Sequence, residues 1–168
     1  MTRFAGLVLL VLLPCVSVDA NGGDPFVGRW RLDVASSSFS AGRTPMAEFL
    51  TISSGGAGLA IDLTTVDARG GLRRLTSVAP DNASAGDVFV ADDKRGTHSA
   101  RLLAFPWVDK MTLGRLSPAS ARATFRKGGA VRLSVDAVVD HTARLMTWDQ
   151  AGTDVDARPF TDHLVFRR

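Results

Sequence analysis

The chain has 168 residues, a formal net charge of +3 and a single cysteine, Cys15. This length fits one domain of ordinary size better than two. Basic and acidic residues are interspersed without a basic block, and one cysteine cannot form a disulfide, so composition argues against a nucleic-acid partner, a disulfide framework and a thiolate metal site.

The N-terminus has the pattern of an export signal. Arg3 supplies a positive charge, an apolar run follows over residues 4–18, and Val18-Asp19-Ala20 offers small residues to a signal peptidase. The run is too short for a typical membrane span. We therefore expect residues 1–20 to be a signal peptide and residues 21–168 to be one exported domain, periplasmic or secreted, with no integral membrane segment after signal removal.

Two alternatives for this N-terminus stay open. The apolar run is also compatible with an uncleaved anchor. Cys15 follows Pro14 in a stretch similar to a lipid-attachment site, although such sites carry a small residue where Pro14 stands. Since the exported domain itself has no cysteine, its apolar core alone must stabilise the fold, which a domain of about 150 residues can do.

Short alternating apolar runs predict β-strands throughout the exported domain. In chain order the predicted strands are 26–34, 47–53, 59–66, 72–78, 88–90, 99–103, 110–116, 121–126, 131–139, 145–150 and 161–167. In the third of these, Leu59, Ile61 and Leu63 share one face and polar residues take the other. No apolar pattern of helical period extends beyond two turns.

Glycine-containing turns join several of these strands. The loop at 67–71 ends in two glycines, and Lys127-Gly128-Gly129 forms the clearest hairpin, because glycine adopts the positive φ that tight turns need. Short strands, evenly spaced and joined by tight turns, predict an all-β fold, an antiparallel up-and-down β-barrel of about 8–10 strands. Closure into a barrel removes exposed strand edges.

Gly28 and Trp30 form a G-x-W motif at the start of the first strand. This motif resembles the signature of the lipocalins (calycins). The resemblance implies a lipocalin-like barrel in which the Trp packs across the closed end, the Gly admits a neighbouring chain, and an Arg near the last strand stacks on the indole. Arg167 and Arg168 both stand in the right place, and we assign Gly28, Trp30 and Arg167 to the closed end.

A second resemblance covers nearly the whole exported domain. The opening "DPFVGRWRLDVASSSFSAGRTP" and the closing "ATFRKGGAVRLSVDAVV" and "GTDVDARPFTDHLVFRR" are similar to a family of bacterial exported lipocalin-like proteins, most of them uncharacterised. The chain lacks the Thr-Asp-Tyr segment of lipocalins, and no helix follows its last strand. The resemblance therefore implies a fold and leaves the ligand open.

Metal-ligating residues are scattered. His98, His141 and His163 stand far from one another along the chain, so a metal site would have to be assembled across strands. The aspartates at 149, 154 and 156 lack the full spacing of a calcium loop. We expect no metal and no cofactor.

Catalytic patterns are also missing from the sequence. No G-x-S-x-G nucleophile elbow occurs. Glu48 stands beside Phe49, and we expect its side chain to be exposed on a strand face. A small hydrolase or isomerase would need a buried acid–base pair with shifted pKa values, which the sequence does not reveal, so we expect no enzymatic activity.

Aromatic and methionine side chains instead suggest an apolar interior site. The leading hypothesis is non-catalytic binding of a small apolar or amphipathic molecule inside the barrel. The alternative is a filled barrel that acts through its surface, as a protein-interaction or envelope-stress module with unknown protein partners. The residues expected to line a ligand site are Trp107, Met111, Phe125, Leu133, Val135 and Trp148, and Val131 shares the face of Leu133 and Val135.

Overall fold

The computed structural model describes residues 23–40, 42–80, 84–92, 108–154 and 156–168, with the backbone alone at 90–92. These ranges hold ten β-strands and one short 3-10 turn, and no α-helix. The predicted strand at 99–103 lies outside the described residues. None of the described residues lies in a helix with the length and apolarity to cross a membrane.

The ten strands form one closed antiparallel barrel. Their bounds are β1 Gly28–Leu32, β2 Ala47–Gly55, β3 Gly58–Val66, β4 Leu72–Ala79, β5 Gly86–Asp92, β6 Lys110–Ser117, β7 Ser120–Lys127, β8 Ala130–Val139, β9 Leu145–Thr153 and β10 Pro159–Arg167. Each strand pairs with its neighbours in sequence, and β1 closes the barrel by pairing with β10. The prediction of an up-and-down, lipocalin-like barrel is confirmed.

The predicted glycine turns have the expected backbone. Gly70 has a φ of 80° in the β3–β4 turn, and Gly128 and Gly129 have φ values of 54° and 83° between β7 and β8. Side chains reach these conformations only with strain, whereas glycine adopts them freely. The turn chemistry therefore fixes where β7 and β8 begin their pairing.

Apolar side chains at alternate positions of the strands point inward and fill the barrel interior. Trp30, Leu50, Leu63 and Leu75 are direct cross-strand partners from β1 to β4, and all four are buried. Val131 was expected on the same buried face as its neighbours in β8, but its side chain is 49% exposed. A β-bulge shifts the register between β7 and β8: Phe125 pairs with Leu133, but Arg126 pairs with Val131, so Val131 faces outward with Arg126.

The barrel has two chemically different ends. The tryptophan end comprises the segment 23–28, the β2–β3, β6–β7 and β8–β9 turns and the C-terminal residue Arg168. The carboxylate end comprises the β1–β2 connection (33–46) and the β3–β4, β7–β8 and β9–β10 turns. The first end is named for the buried Trp30, and the second for the buried carboxyl groups of Glu48 and Asp162.

Candidate functional site

Trp30 closes the tryptophan end from inside. Its side chain is buried, and its indole Nε1 donates a hydrogen bond to the carbonyl oxygen of Phe26 at 2.9 Å. The guanidinium carbon of Arg168 lies 4.3 Å from the centre of the indole ring, in cation–π geometry. Trp30 thus lies at one end of the barrel with an arginine stacked on its indole.

The stacking arginine is Arg168, whereas Arg167 was the residue assigned. Arg167 lies at the end of β10 and points away from the indole, where its Nε donates to Asp33 at 2.7 Å. Consecutive residues of a strand point to opposite faces, so only one of the two arginines reaches Trp30. Arg168 also donates to the carbonyl oxygens of Pro25 and Val27, at 2.7 and 2.6 Å.

Gly28 lies directly against this arginine. Its φ is 153°, and a Cβ atom at this position would lie 2.9 Å from Nε of Arg168. A larger residue would therefore push Arg168 away from the indole. This contact gives the glycine of the motif a physical reason.

The segment before β1 covers the barrel mouth at the tryptophan end. Phe26 is buried, and its ring lies under the guanidinium group of Arg115, whose carbon is 4.5 Å from the ring centre. The same guanidinium forms a salt bridge with the carboxylate of Asp24. Phe26, Asp24 and Arg115 thus form a compact plug over the interior.

An apolar cavity of about 50 Å³ lies beneath this plug. Four residues that the sequence analysis predicted as ligand-lining do line this cavity, namely Met111, Phe125, Val135 and Trp148. Leu133 is buried in the same interior but is not part of the lining, and Trp107 lies outside the described residues. The other lining residues are Phe26, Ile52, Leu59, Ile61, Leu113, Arg115, Ala121, Ala123 and Ala137.

Trp148 is the largest side chain that strand β9 contributes to this cavity. Its ring packs against Phe166, with the ring centres 4.8 Å apart and the planes inclined by 53°. Its indole Nε1 is buried and has no hydrogen-bond acceptor among the described residues. A buried N–H without an acceptor costs free energy, which a bound group with an acceptor atom would recover.

The carboxylate end is closed by buried polar side chains that centre on Asp162. Its carboxylate accepts hydrogen bonds from the Ser40 amide at 2.6 Å, from Nε of Arg43 at 3.1 Å and from Nε2 of Gln150 at 3.0 Å. Arg43 also stacks on Phe160, with its guanidinium carbon 3.3 Å from the ring centre. The β1–β2 connection is thereby tied across this end of the barrel.

Glu48 lies in the same polar layer, contrary to the expectation that it is exposed. Its side chain is 1% exposed and accepts a hydrogen bond from Oγ1 of Thr65 at 3.0 Å. Its other oxygen, Oε1, has no partner among the described residues. The strand phase explains the error, because Glu48 alternates with Phe49 and shares the inward face of β2 with Leu50.

Burial raises the pKa of Glu48 from 4.5 to about 7. The main cause is desolvation, because burial disfavours the charged carboxylate. The hydrogen bond from Thr65 lowers the pKa in part, and repulsion by the negative charge of Asp162 raises it further. Glu48 can therefore hold or release a proton near neutral pH. It does not line the apolar cavity, so this proton chemistry is separate from the cavity.

The scattered metal candidates remain apart. Within the described parts of the chain, no three His, Cys, Asp or Glu side chains gather into a possible metal site. His163 lies 2.6 Å from Asp149, and Asp154 accepts backbone hydrogen bonds inside the β9–β10 turn. His141 is exposed in the β8–β9 turn, and His98 lies outside the described residues.

Comparison with known proteins does not assign the chain to a family. No protein-family model and no curated protein matches the chain. The barrel itself has an apolar cavity under an aromatic plug at one end and a buried polar layer that contains Glu48 at the other.

Proposed function

We propose that this protein is an exported, lipocalin-like binding protein that holds a small apolar or amphipathic molecule in its barrel without chemical conversion. The observation that carries the proposal is the interior cavity, whose lining is apolar apart from Arg115 at its edge. Burial of apolar ligand surface would supply the binding free energy. The signal-like residues 1–20 support export.

The size of the cavity constrains how such a ligand would fit. The volume is about 50 Å³, whereas sites for drug-sized molecules measure about 300–1,000 Å³. A ligand of more than a few atoms must therefore displace a side chain. Phe26 is the best candidate, because it lies on the segment before β1, whereas all the other lining residues lie on paired strands.

A cavity-filling substitution tests the proposal. Ala137 lines the cavity from β8, and Ala151 is exposed on the neighbouring strand β9, so A137L and A151L add the same atoms inside and outside the barrel. An apolar fluorescent probe should bind the wild type and A151L alike. A137L should weaken binding by about tenfold or more, or about 1.4 kcal/mol. Equal affinities in all three proteins would contradict the proposal.

A second function has its own supporting observation. Met46, Phe49 and Leu72 are exposed by 57%, 46% and 43% on the outer wall at the carboxylate end. Leu72 pairs with Val66, whose carbonyl accepts from the Met46 amide, so these exposed apolar residues lie on neighbouring segments at one end of the barrel. Groups of exposed apolar side chains mark interaction surfaces.

The two functions give different results with a surface variant. If the filled-barrel alternative holds, replacing Met46, Phe49 and Leu72 by serine abolishes cross-linking of the protein to a partner in the cell envelope of its host. If the cavity is the functional site, the same triple variant keeps the wild-type affinity for the apolar probe.

A further inference from the structure

The segment before β1 presents two groups to the barrel, one apolar and one anionic. The ring of Phe26 lines the apolar cavity, and the carboxylate of Asp24 forms a salt bridge with Arg115. Arg115 is the one charged side chain that lines the cavity among the described residues. Phe26 and Asp24 together therefore occupy the site as an aryl-substituted carboxylic acid would.

We propose that the tryptophan end is a binding site for an amphipathic carboxylate, whose apolar part replaces the Phe26 ring and whose carboxylate replaces Asp24 on Arg115. In this account Asp24 and Phe26 are an internal competitor that keeps the empty site covered. The inference rests on the proposed function, since it assigns the ligand class for the same cavity.

Arg115 suits this role because of its position. Its side chain is 36% exposed, so it stands at the mouth of the cavity and keeps its charge partly hydrated. A guanidinium group binds a carboxylate with two parallel hydrogen bonds and stays charged at every physiological pH. The incoming carboxylate would exchange with that of Asp24, so no buried charge is left without a counterion.

Arg43, the arginine at the carboxylate end, has a counterion that is harder to displace. Its counterion Asp162 is fully buried and also binds Ser40 and Gln150, so an incoming anion would have to break a network of hydrogen bonds. The counterion of Arg115 lies on a short segment outside the strands. Exchange of a carboxylate is therefore favoured at the tryptophan end.

The backbone of the segment can stay in place during the exchange. The carbonyl oxygens of Pro25 and Val27 accept from Arg168, and that of Phe26 accepts from Trp30. None of these bonds involves the side chains of Asp24 or Phe26. The Asp24 carboxylate also accepts a hydrogen bond from the Phe26 amide at 3.0 Å, so the exchange breaks that bond, while the bonds from Arg168 and Trp30 keep the segment at the closed end.

A matched pair of small probes tests the proposal. The anion 3-phenylpropanoate carries a phenyl ring like that of Phe26 and a carboxylate, and 3-phenylpropan-1-ol carries the same ring without the charge. Titration calorimetry would give both dissociation constants for the wild type, D24N, R115Q and F26A. The control R122Q removes an exposed arginine of β7 whose partner is Asp136 and which does not line the cavity.

The expected readout is the preference for the anion over the alcohol. The wild type and R122Q should prefer the anion by about 10- to 100-fold, the range for a hydrogen bond to a charged group. D24N should increase this preference, because Arg115 then lacks its competitor. R115Q should bring the ratio of the two affinities close to one while keeping affinity for the alcohol. If R115Q folds poorly, R115K should retain part of the preference for the anion.

The failures of the two proposals are distinguishable. Equal affinities for both probes in the wild type, unchanged in D24N and R115Q, would overturn the carboxylate site and leave an apolar cavity that binds ligands. If neither probe binds the wild type or folded F26A, in which the space of the ring is vacated, both the carboxylate site and the proposed function are wrong.

Discussion

The two ends of the barrel are each closed by an arginine stacked on an aromatic ring, but the surroundings of the two arginines differ. Arg168 lies over Trp30 at the surface, and its hydrogen-bond partners include the neutral carbonyls of Pro25 and Val27. Arg43 lies over Phe160 in the interior and is paired with buried Asp162. One end is therefore stabilised mainly by apolar burial, and the other by desolvated charges whose balance depends on pH.

Removal of the indole should have the largest effect. W30A empties a fully buried aromatic site and removes the ring on which Arg168 stacks, so we expect a loss of about 3–5 kcal/mol in the free energy of unfolding. Urea titration followed by circular dichroism measures it. A loss below about 1 kcal/mol would show that Trp30 does not hold the tryptophan end together.

The carboxylate end should respond to loss of a single charge. D162N keeps the shape of the side chain but turns an amide towards Arg43 or Gln150, and breaking a buried ion pair costs about 3–5 kcal/mol. The matched change D136N breaks the exposed pair with Arg122, for which about 1 kcal/mol or less is expected. Equal losses in the two variants would contradict the assignment of a buried network.

Glu48 should make the carboxylate end sensitive to pH. Its pKa is about 7 in the folded state and 4.5 as a free side chain, so between these values the folded state binds more protons. Stability therefore falls as pH rises from 4.5 to 7 and is flat above, by about 3 kcal/mol in total. E48Q, which mimics the neutral acid, should lose this dependence and exceed the wild type in stability at pH 8.

The comparison of wild type with E48Q is best made above pH 4.5. Hydrogen bonds from Arg167 and, next in size, Ser36 lower the pKa of Asp33 to about 2. Hydrogen bonds from the Thr142 hydroxyl and the Leu145 amide lower the pKa of Asp140 to about 2. The stability that these two carboxylates contribute is lost only as the pH falls from 3.8 towards about 2. If the wild type and E48Q have parallel pH profiles between 4.5 and 7, Glu48 is not the buried proton-binding group.

The smallest effect should come from the exposed arginine. R168A removes one cation–π contact, for which about 0.5–1 kcal/mol is typical at an exposed site. It also removes the donors to Pro25 and Val27, so amide hydrogen exchange of residues 24–28 should accelerate. R167A is the control, since Arg167 contacts Asp33 instead, and an acceleration of equal size there would contradict the separate roles of the two arginines.

The regular part of the fold was predictable from local patterns. Alternation and glycine turns located ten strands within a few residues of their observed bounds, because a strand that is buried on one face must alternate. The inward face of β8 followed from Leu133 and Val135. Phase alone could not show that Val131 is exposed, because a β-bulge between Val131 and Leu133 shifts the register of β8 against β7.

The site was predictable only in its apolar half. Met111, Phe125, Val135 and Trp148 stand out as large apolar residues on predicted strands, and all line the cavity. The polar layer was missed, since Glu48 was judged by its neighbour in sequence and Asp162 became important only through distant partners such as Ser40. The phase of Glu48 with Leu50 was the one local signal that could have revealed its burial.

The most direct test of the central claim is native mass spectrometry of the mature protein from the periplasm of its host, with lipid extraction of the same sample. We predict a small apolar or amphipathic molecule bound in stoichiometric amount. We also predict a polypeptide mass equal to that of a chain that starts at residue 21. A ligand-free mass together with no uptake of apolar fluorescent probes would contradict it and favour a filled barrel that acts through its outer surface.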